Sequence, residues 1–195
     1  MKIVMYLIAL GVIVFYSFRF IQVMIRMKHT ILLPTTSDER EVLRKYPQKS
    51  VARATYSEQK WGIVVYLFML LFMYSIFFIG LFSDDFEVTF YLWFFLPLIH
   101  SHELFNVFAI VDDGIISGSR FITWKNMKSF EFIRIDINHK FYGYSREVND
   151  EYELRIKTKG FPISCIVTSS DMIDKLSKIL NEHGVVRDDK SEKSQ

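Results

Sequence analysis

The chain of 195 residues has a single cysteine, Cys165, so no internal disulfide can staple its fold, and a lone thiol fits a cytosolic soluble part. It also lacks a charge of dominant sign. Lys and Arg number 24 against 22 Asp and Glu, and a net +2 is too small to argue for nucleic acid. There is no basic stripe with stacking aromatics, no zinc-knuckle spacing, no Gly-rich phosphate loop, no nucleophile elbow and no kinase signature. Ser117 and Ser119, on either side of Gly118, have no partnered His and acid in sequence. Neither enzymatic activity nor a cofactor is expected, and no small-molecule substrate is evident. Internal repeats are absent, and the polar stretch 187–195 reads as a frayed tail.

Hydrophobic residues make up half of the chain, and its 19 Phe are concentrated in the first two thirds. Charges gather between Arg26 and Lys60 and again after Val111, the segregation of a membrane anchor followed by a soluble module. Trp61 to Phe82 carries no charged residue. As a helix it would rise roughly 33 Å, enough for a bilayer core of about 30 Å. Residues 3–25 form a second apolar stretch. Lys2 before an apolar run suits a signal peptide, but no small-x-small cleavage site follows and the exit is bulky (Phe15, Tyr16, Phe18, Phe20). An uncleaved membrane helix is expected, with Arg19 as an anchor snorkelling to the headgroups.

The connection 26–60 holds eight Lys or Arg, whereas Lys2 alone lies beyond the first helix and the turn 83–87 has none. By the positive-inside rule the 26–60 loop is cytoplasmic, the N-terminus is outside, and the protein belongs in the inner (cytoplasmic) membrane. Trp61 falls at the inner mouth of its helix. Within the loop, Ser37-Asp38-Glu39, then Val42, Leu43 and Tyr46, reads as a short capped helix stopped by Pro47. Arg44, Lys45, Lys49, Arg53 and Lys60 either set topology only or contact anionic lipid.

Residues 86–103 form a third apolar segment, short and broken by Pro97, whose crossing would return the chain to the cytoplasm. It ends in His100-Ser101-His102-Glu103, where His100, His102 and Glu103 are weak candidate metal ligands. Without HExxH spacing they need outside help to complete a tetrahedral set, so interface anchoring is the plainer role. Asp84, Asp85 and Glu87 read as a solvated acidic turn.

From Leu104 the period becomes two. Phe105, Val107, Ala109 and Val111 form one set, Asp113-Gly114 a hairpin dipeptide, and Ile115 to Trp124 one strand loosened by Gly118. In Phe130, Phe132, Ile133, Ile135 and Ile137 the alternation slips at 132/133, as at a β-bulge. After a polar loop, 139–150, Tyr152, Leu154 and Ile156 point inward, with Glu153, Arg155 and Lys157 outward. Phe161, Ile163, Cys165 and Val167 share a face, which makes Cys165 a core residue. Ser169 or Ser170 caps a helix to about His183, with Met172, Ile173, Leu176, Ile179 and Leu180 as its apolar stripe and Gly184 at C′.

Short apolar helices followed by IVDDGIISGSRFITWKNMKSFEF, paired strands and a last helix resemble the bacterial PH-domain-like small membrane proteins of Firmicutes, over about 105–183. The resemblance implies a partly rolled sheet with a helix plugging one end and carries over no catalytic residue. About five strands are counted against seven in a full PH fold, so the expected sheet is incomplete.

The expectation is an α+β membrane protein. A membrane region, 1–103, has helices at about 3–25, 61–82 and 86–103. A cytoplasmic domain, 104–186, is a small antiparallel sheet closed by one C-terminal helix. It would serve as an interaction module toward another membrane protein or the bilayer surface. The alternative is an immunity or envelope-stress protein acting through its transmembrane helices.

Overall fold

The computed structural model describes residues 2–82, 101 and 104–188. The expected third span, 86–103, and with it His100, His102 and Glu103, lies outside the described residues.

Two helices, α1 (Lys2–Arg26) and α3 (Lys60–Phe82), are long and apolar enough to cross a membrane, by length and composition. They are the only two such helices among the described residues. Only 22% of each apolar window is buried inside the chain, whereas a core helix of a soluble protein is mostly covered. They pack antiparallel through Ala9, Ile13, Met73 and Phe77. Tyr6 donates to the Gly80 carbonyl at 2.8 Å, and the Ser17 and Tyr74 hydroxyls meet at 3.2 Å. Phe15, Phe18, Phe68 and Phe78 stay exposed on the outside of the pair.

The chain between these helices is not a loop apart from the domain. It supplies β1 (Ile31–Leu33), β2 (Leu43–Tyr46) and β3 (Lys49–Ser50). The later strands are β4 (Phe108–Val111), β5 (Gly114–Ser117), β6 (Arg120–Thr123), β7 (Met127–Arg134), β8 (Tyr152–Thr158), β9 (Ile163–Val167) and β10 (Val186–Arg187). One sheet has the order β1-β4-β5-β6, the other β10-β7-β8-β9-β2-β3. The expected separation into a basic loop, 26–60, and a domain beginning at 104 is therefore corrected. Burial of Leu33, Leu43 and Val51 with Phe108, Phe130 and Leu154 in one core draws the loop into both sheets. The short helix of that loop, α2 (Ser37–Glu41), begins from Thr36 in a capping box with Glu39 and ends at Val42, because Leu43 and Arg44 pair with Val167 and Ile166 of β9.

The sheets face each other across this core, which α4 (Ser170–Glu182) completes with Met172, Leu176 and Leu180. Phe105, Val107, Ala109 and Val111 do share a face, but it packs on the helix pair, while Phe108 and Ile110 fill the core between the sheets. Covering on both sides is why every residue of β4 and β5 is buried.

Residues 115–124 are two strands rather than one. Gly118 takes φ 59° in the two-residue Gly118-Ser119 turn that pairs Ser117 with Arg120, as the first central position of a type II′ hairpin requires. The 132/133 slip is not a bulge either. Pairing runs regularly from Phe130 to Arg134, and the irregularity lies at Met127/Ser129. The apolar phase changes because Ile135 serves a second small core with Val148 and Ile166, on the opposite face of the sheet. After Gly184, at φ 77°, β10 pairs parallel with β7, so ordered pairing continues through Arg187 rather than stopping before the tail.

Candidate membrane-facing site

The helix pair meets the four-stranded sheet in a continuous apolar joint. Phe20 stacks on Tyr66 with ring centroids 4.7 Å apart, and Tyr66 lies 6.0 Å from Phe105. Val23, Met27, Ala54, Val107 and Ile116 fill in around these rings. Gly62 allows the closest approach, since a Cβ there would stand 2.5 Å from the Leu104 carbonyl oxygen. Polar struts frame the joint. Arg26 pairs with Asp113 and stands 4.8 Å over the Phe121 ring, and the Tyr56 hydroxyl donates to the Met24 carbonyl at 2.5 Å.

The five basic residues expected to contact lipid do not form one cluster. Arg44 pairs with Glu147 and donates to the Pro47 carbonyl at 3.2 Å, so β2 uses it to hold the 136–150 loop. Lys45 donates to the Phe105 carbonyl at 3.1 Å, beside the joint. Lys49, Arg53 and Lys60 are exposed, and Lys60 opens α3 beside the exposed Trp61. Arg19 is half-buried in the last third of α1, with its guanidinium 5.5 Å from the Phe15 ring centroid.

Sequence reasoning missed the densest polar cluster. Glu153, expected to face solvent, is fully buried. It does point away from the main core, but residues 136–150 fold over that face of the sheet, with Val148 and Phe141 packed on Ile135 and Ile166. The carboxylate accepts from His139 Nε2 at 3.0 Å, Arg155 at 2.8 Å and the Ser164 hydroxyl, and it pairs with Lys140 at 2.9 Å. Burial pushes the Glu153 carboxyl up, but hydrogen bonds from Ser164 and Lys140 and the charges of Lys140 and Arg155 outweigh it and bring it to about 2. The Phe141 N–H donates to His139 Nδ1 at 3.2 Å, so Nε2 carries the proton given to Glu153. With both carboxylate oxygens occupied, Glu153 has no free position from which to take a proton from a substrate. Ser164 spends its hydroxyl hydrogen on the same carboxylate. The cluster is a latch for the loop. Phe141 and Val148, apolar residues inside a polar stretch, were the signal for it.

Among the described residues no group of three or more His, Cys, Asp or Glu is placed to hold a metal ion. Cys165 is fully buried, and burial raises its thiol well above the ordinary range. No protein-family model, curated protein or solved structure matches the chain.

Proposed function

We propose that the chain is a membrane-anchored protein whose two apolar helices cross the bilayer and whose PH-like two-sheet domain meets the cytoplasmic membrane surface, or a protein partner there, as an interaction module. The observation that carries this is the apolar joint of Phe20, Tyr66 and Phe105. It fixes the four-stranded sheet to the ends of both helices, so the domain stands against the bilayer with little freedom to swing. The basic residues at this end of the pair (Lys28, Arg53 and Lys60, all exposed) favour the cytoplasmic side.

Surface contact suits the domain better than addition of a strand. The edge strands β3 and β10 have two residues each, β1 has three and is followed by Pro34, and β6 runs beside α1. Such edges offer a partner few backbone groups.

Removing residues 104–195 would strip β1 of β4 and β2 of β9, so a truncated chain is a poor comparison. A photo-crosslinking residue is better placed at Lys128, Ile137 or Phe161 on the domain and at Phe68 or Phe78 on the helices, all exposed. Adducts to a protein or to lipid headgroups from the domain positions are expected. Protein adducts from the helix positions alone would sink the module and favour an immunity or envelope-stress protein acting within the bilayer.

A further inference from the structure

β6 lies along the last turns of α1, and its two faces meet different partners. Phe121 packs with Phe20 and lies under Arg26. Arg120 and Ile122 alternate to the other face, where Ile122 enters the core between the sheets. On that side the Arg120 guanidinium donates to the Phe161 carbonyl at 2.9 Å, which ties the turn between β8 and β9 to the strand beside α1. On the outer side of the same turns of α1, Ile21 and Ile25 are exposed. Where α1 crosses a bilayer such residues face lipid, so the apolar boundary reaches the level of β6.

The turn itself, Lys159-Gly160-Phe161-Pro162, is held rather than frayed. The Thr158 hydroxyl donates to the same Phe161 carbonyl at 2.9 Å and accepts from the Gly160 N–H at 3.1 Å. The Lys159 N–H donates to the Asn126 carbonyl at 2.9 Å. The Phe161 ring is nevertheless 78% exposed. Around it the surface is basic. Residues 114–130 and 154–170 contain no Asp or Glu, and the two stretches meet at this turn. Arg155 and Lys157 are already paired, with Glu153, Glu131 and Asp188. Lys125, Lys128 and Lys159 are exposed and pair with no carboxylate among the described residues. An exposed ring among lysines fits a bilayer interface, where the ring leaves water and the ammonium groups stay with the phosphates. An acidic protein would suit the lysines alone.

We propose that this patch rests on an anionic bilayer, with Lys125, Lys128 and Lys159 at the lipid phosphates and the Phe161 ring below them, at the start of the acyl chains. The proposal rests on the reading that the helices cross the membrane, and it names the face of the domain that the bilayer covers.

The test uses the full-length protein in vesicles of equal phosphatidylglycerol and phosphatidylcholine, with a nitroxide on Phe161→Cys. Cys165 is fully buried and needs no replacement. Depth is read from collisions with oxygen, which enters lipid, against a water-soluble nickel chelate. The label at 161 should favour oxygen. A label on Ile137→Cys, exposed beyond the opposite end of β7, should favour the chelate. A label on Leu71→Cys, exposed midway along α3, should lie in lipid and checks the membrane reading itself. In mixed micelles of the same two lipids, Lys125→Gln, Lys128→Gln and Lys159→Gln should each lower the retained ratio of phosphatidylglycerol to phosphatidylcholine about fivefold, the scale of one basic residue at an anionic surface. Exposed substitutions of this kind leave the fold intact.

A label at 161 that favours the chelate while Leu71 lies in lipid overturns the proposal and leaves the patch to an acidic protein. If the label at Leu71 favours the chelate too, the membrane reading fails with it. An unchanged lipid ratio in all three Gln variants also overturns the proposal. So does an equal loss from Lys178→Gln, at an exposed position of α4, which would mean diffuse attraction.

Discussion

Tyr66 of α3 and Phe105, just ahead of β4, meet with ring centroids 6.0 Å apart, so the second helix and the four-stranded sheet share one apolar core. Phe105 is fully buried there. Phe105→Ala should cost about 3–5 kcal/mol, the usual range for emptying an aromatic site in a core. Tyr66→Phe keeps the ring and should cost no more than about 1.5 kcal/mol, the worth of a hydroxyl hydrogen bond. Thermal unfolding in detergent, with limited proteolysis between residues 26 and 60, reads both. A Phe105→Ala protein that melts with the wild type and is no easier to cut would mean the joint does not hold the domain.

The Glu153 latch makes stability depend on pH. Its carboxyl lies at about 2 in the folded protein against an ordinary 4.5, so folding favours the ionised form. The contribution is complete above about pH 5 and disappears as pH falls from there toward 2. The gap corresponds to about 3 kcal/mol. Glu39, also held at about 2, where burial is outweighed by hydrogen bonds from Lys175, Thr35 and Thr36, contributes in the same direction. The difference between wild type and Glu153→Gln therefore isolates the latch. Glu153→Gln should be less stable by about 3 kcal/mol at pH 7, should keep roughly half of that deficit at pH 3, and should converge on the wild type near pH 2. A constant difference across that range would show that the ionised carboxylate is not the source.

The parts of this fold readable from sequence are those whose signal is long or periodic. Trp61 to Phe82 carries no charge, and the apolar stripe of α4 repeats over three turns, so both elements stand out. Strands of two to four residues give period two no length in which to appear. In β2, moreover, Arg44 and Lys45 look like topology charges, although one ties down the 136–150 loop and the other reaches the Phe105 carbonyl. Glu153 alternates with Leu154 as a solvated residue would; only the loop that returns over it, a contact distant in sequence, makes it buried.

Glycine positions in the four-stranded sheet should differ sharply in tolerance. A Cβ on Gly114 would overlap the Ile122 carbonyl oxygen in the adjacent strand, so Gly114→Ala must push β5 and β6 apart. Gly118→Ala meets the positive φ of the following turn and should cost about 1–2 kcal/mol. Gly11→Ala has open space and, in a helix, should stabilise by a few tenths up to about 1 kcal/mol. Melting temperatures should rank Gly11→Ala highest and Gly114→Ala lowest. Equal melting of the Gly114 and Gly118 variants would contradict the close packing of β5 against β6.

Cys165 faces the core between the sheets, and its raised thiol leaves little thiolate at neutral pH, so two barriers protect it. An impermeant maleimide should fail to label the folded protein and should label it fully once denatured. That silence makes Cys165 an internal control for orientation. Lys128→Cys, at an exposed position of β7, should label readily in inverted membrane vesicles and stay protected in intact cells. Labelling of Lys128→Cys in intact cells would put the domain outside and overturn the cytoplasmic assignment. Labelling of Cys165 without denaturant would instead mean that the core between the sheets opens on the timescale of the reaction, and that its thiol is protected by neither burial nor a raised pKa.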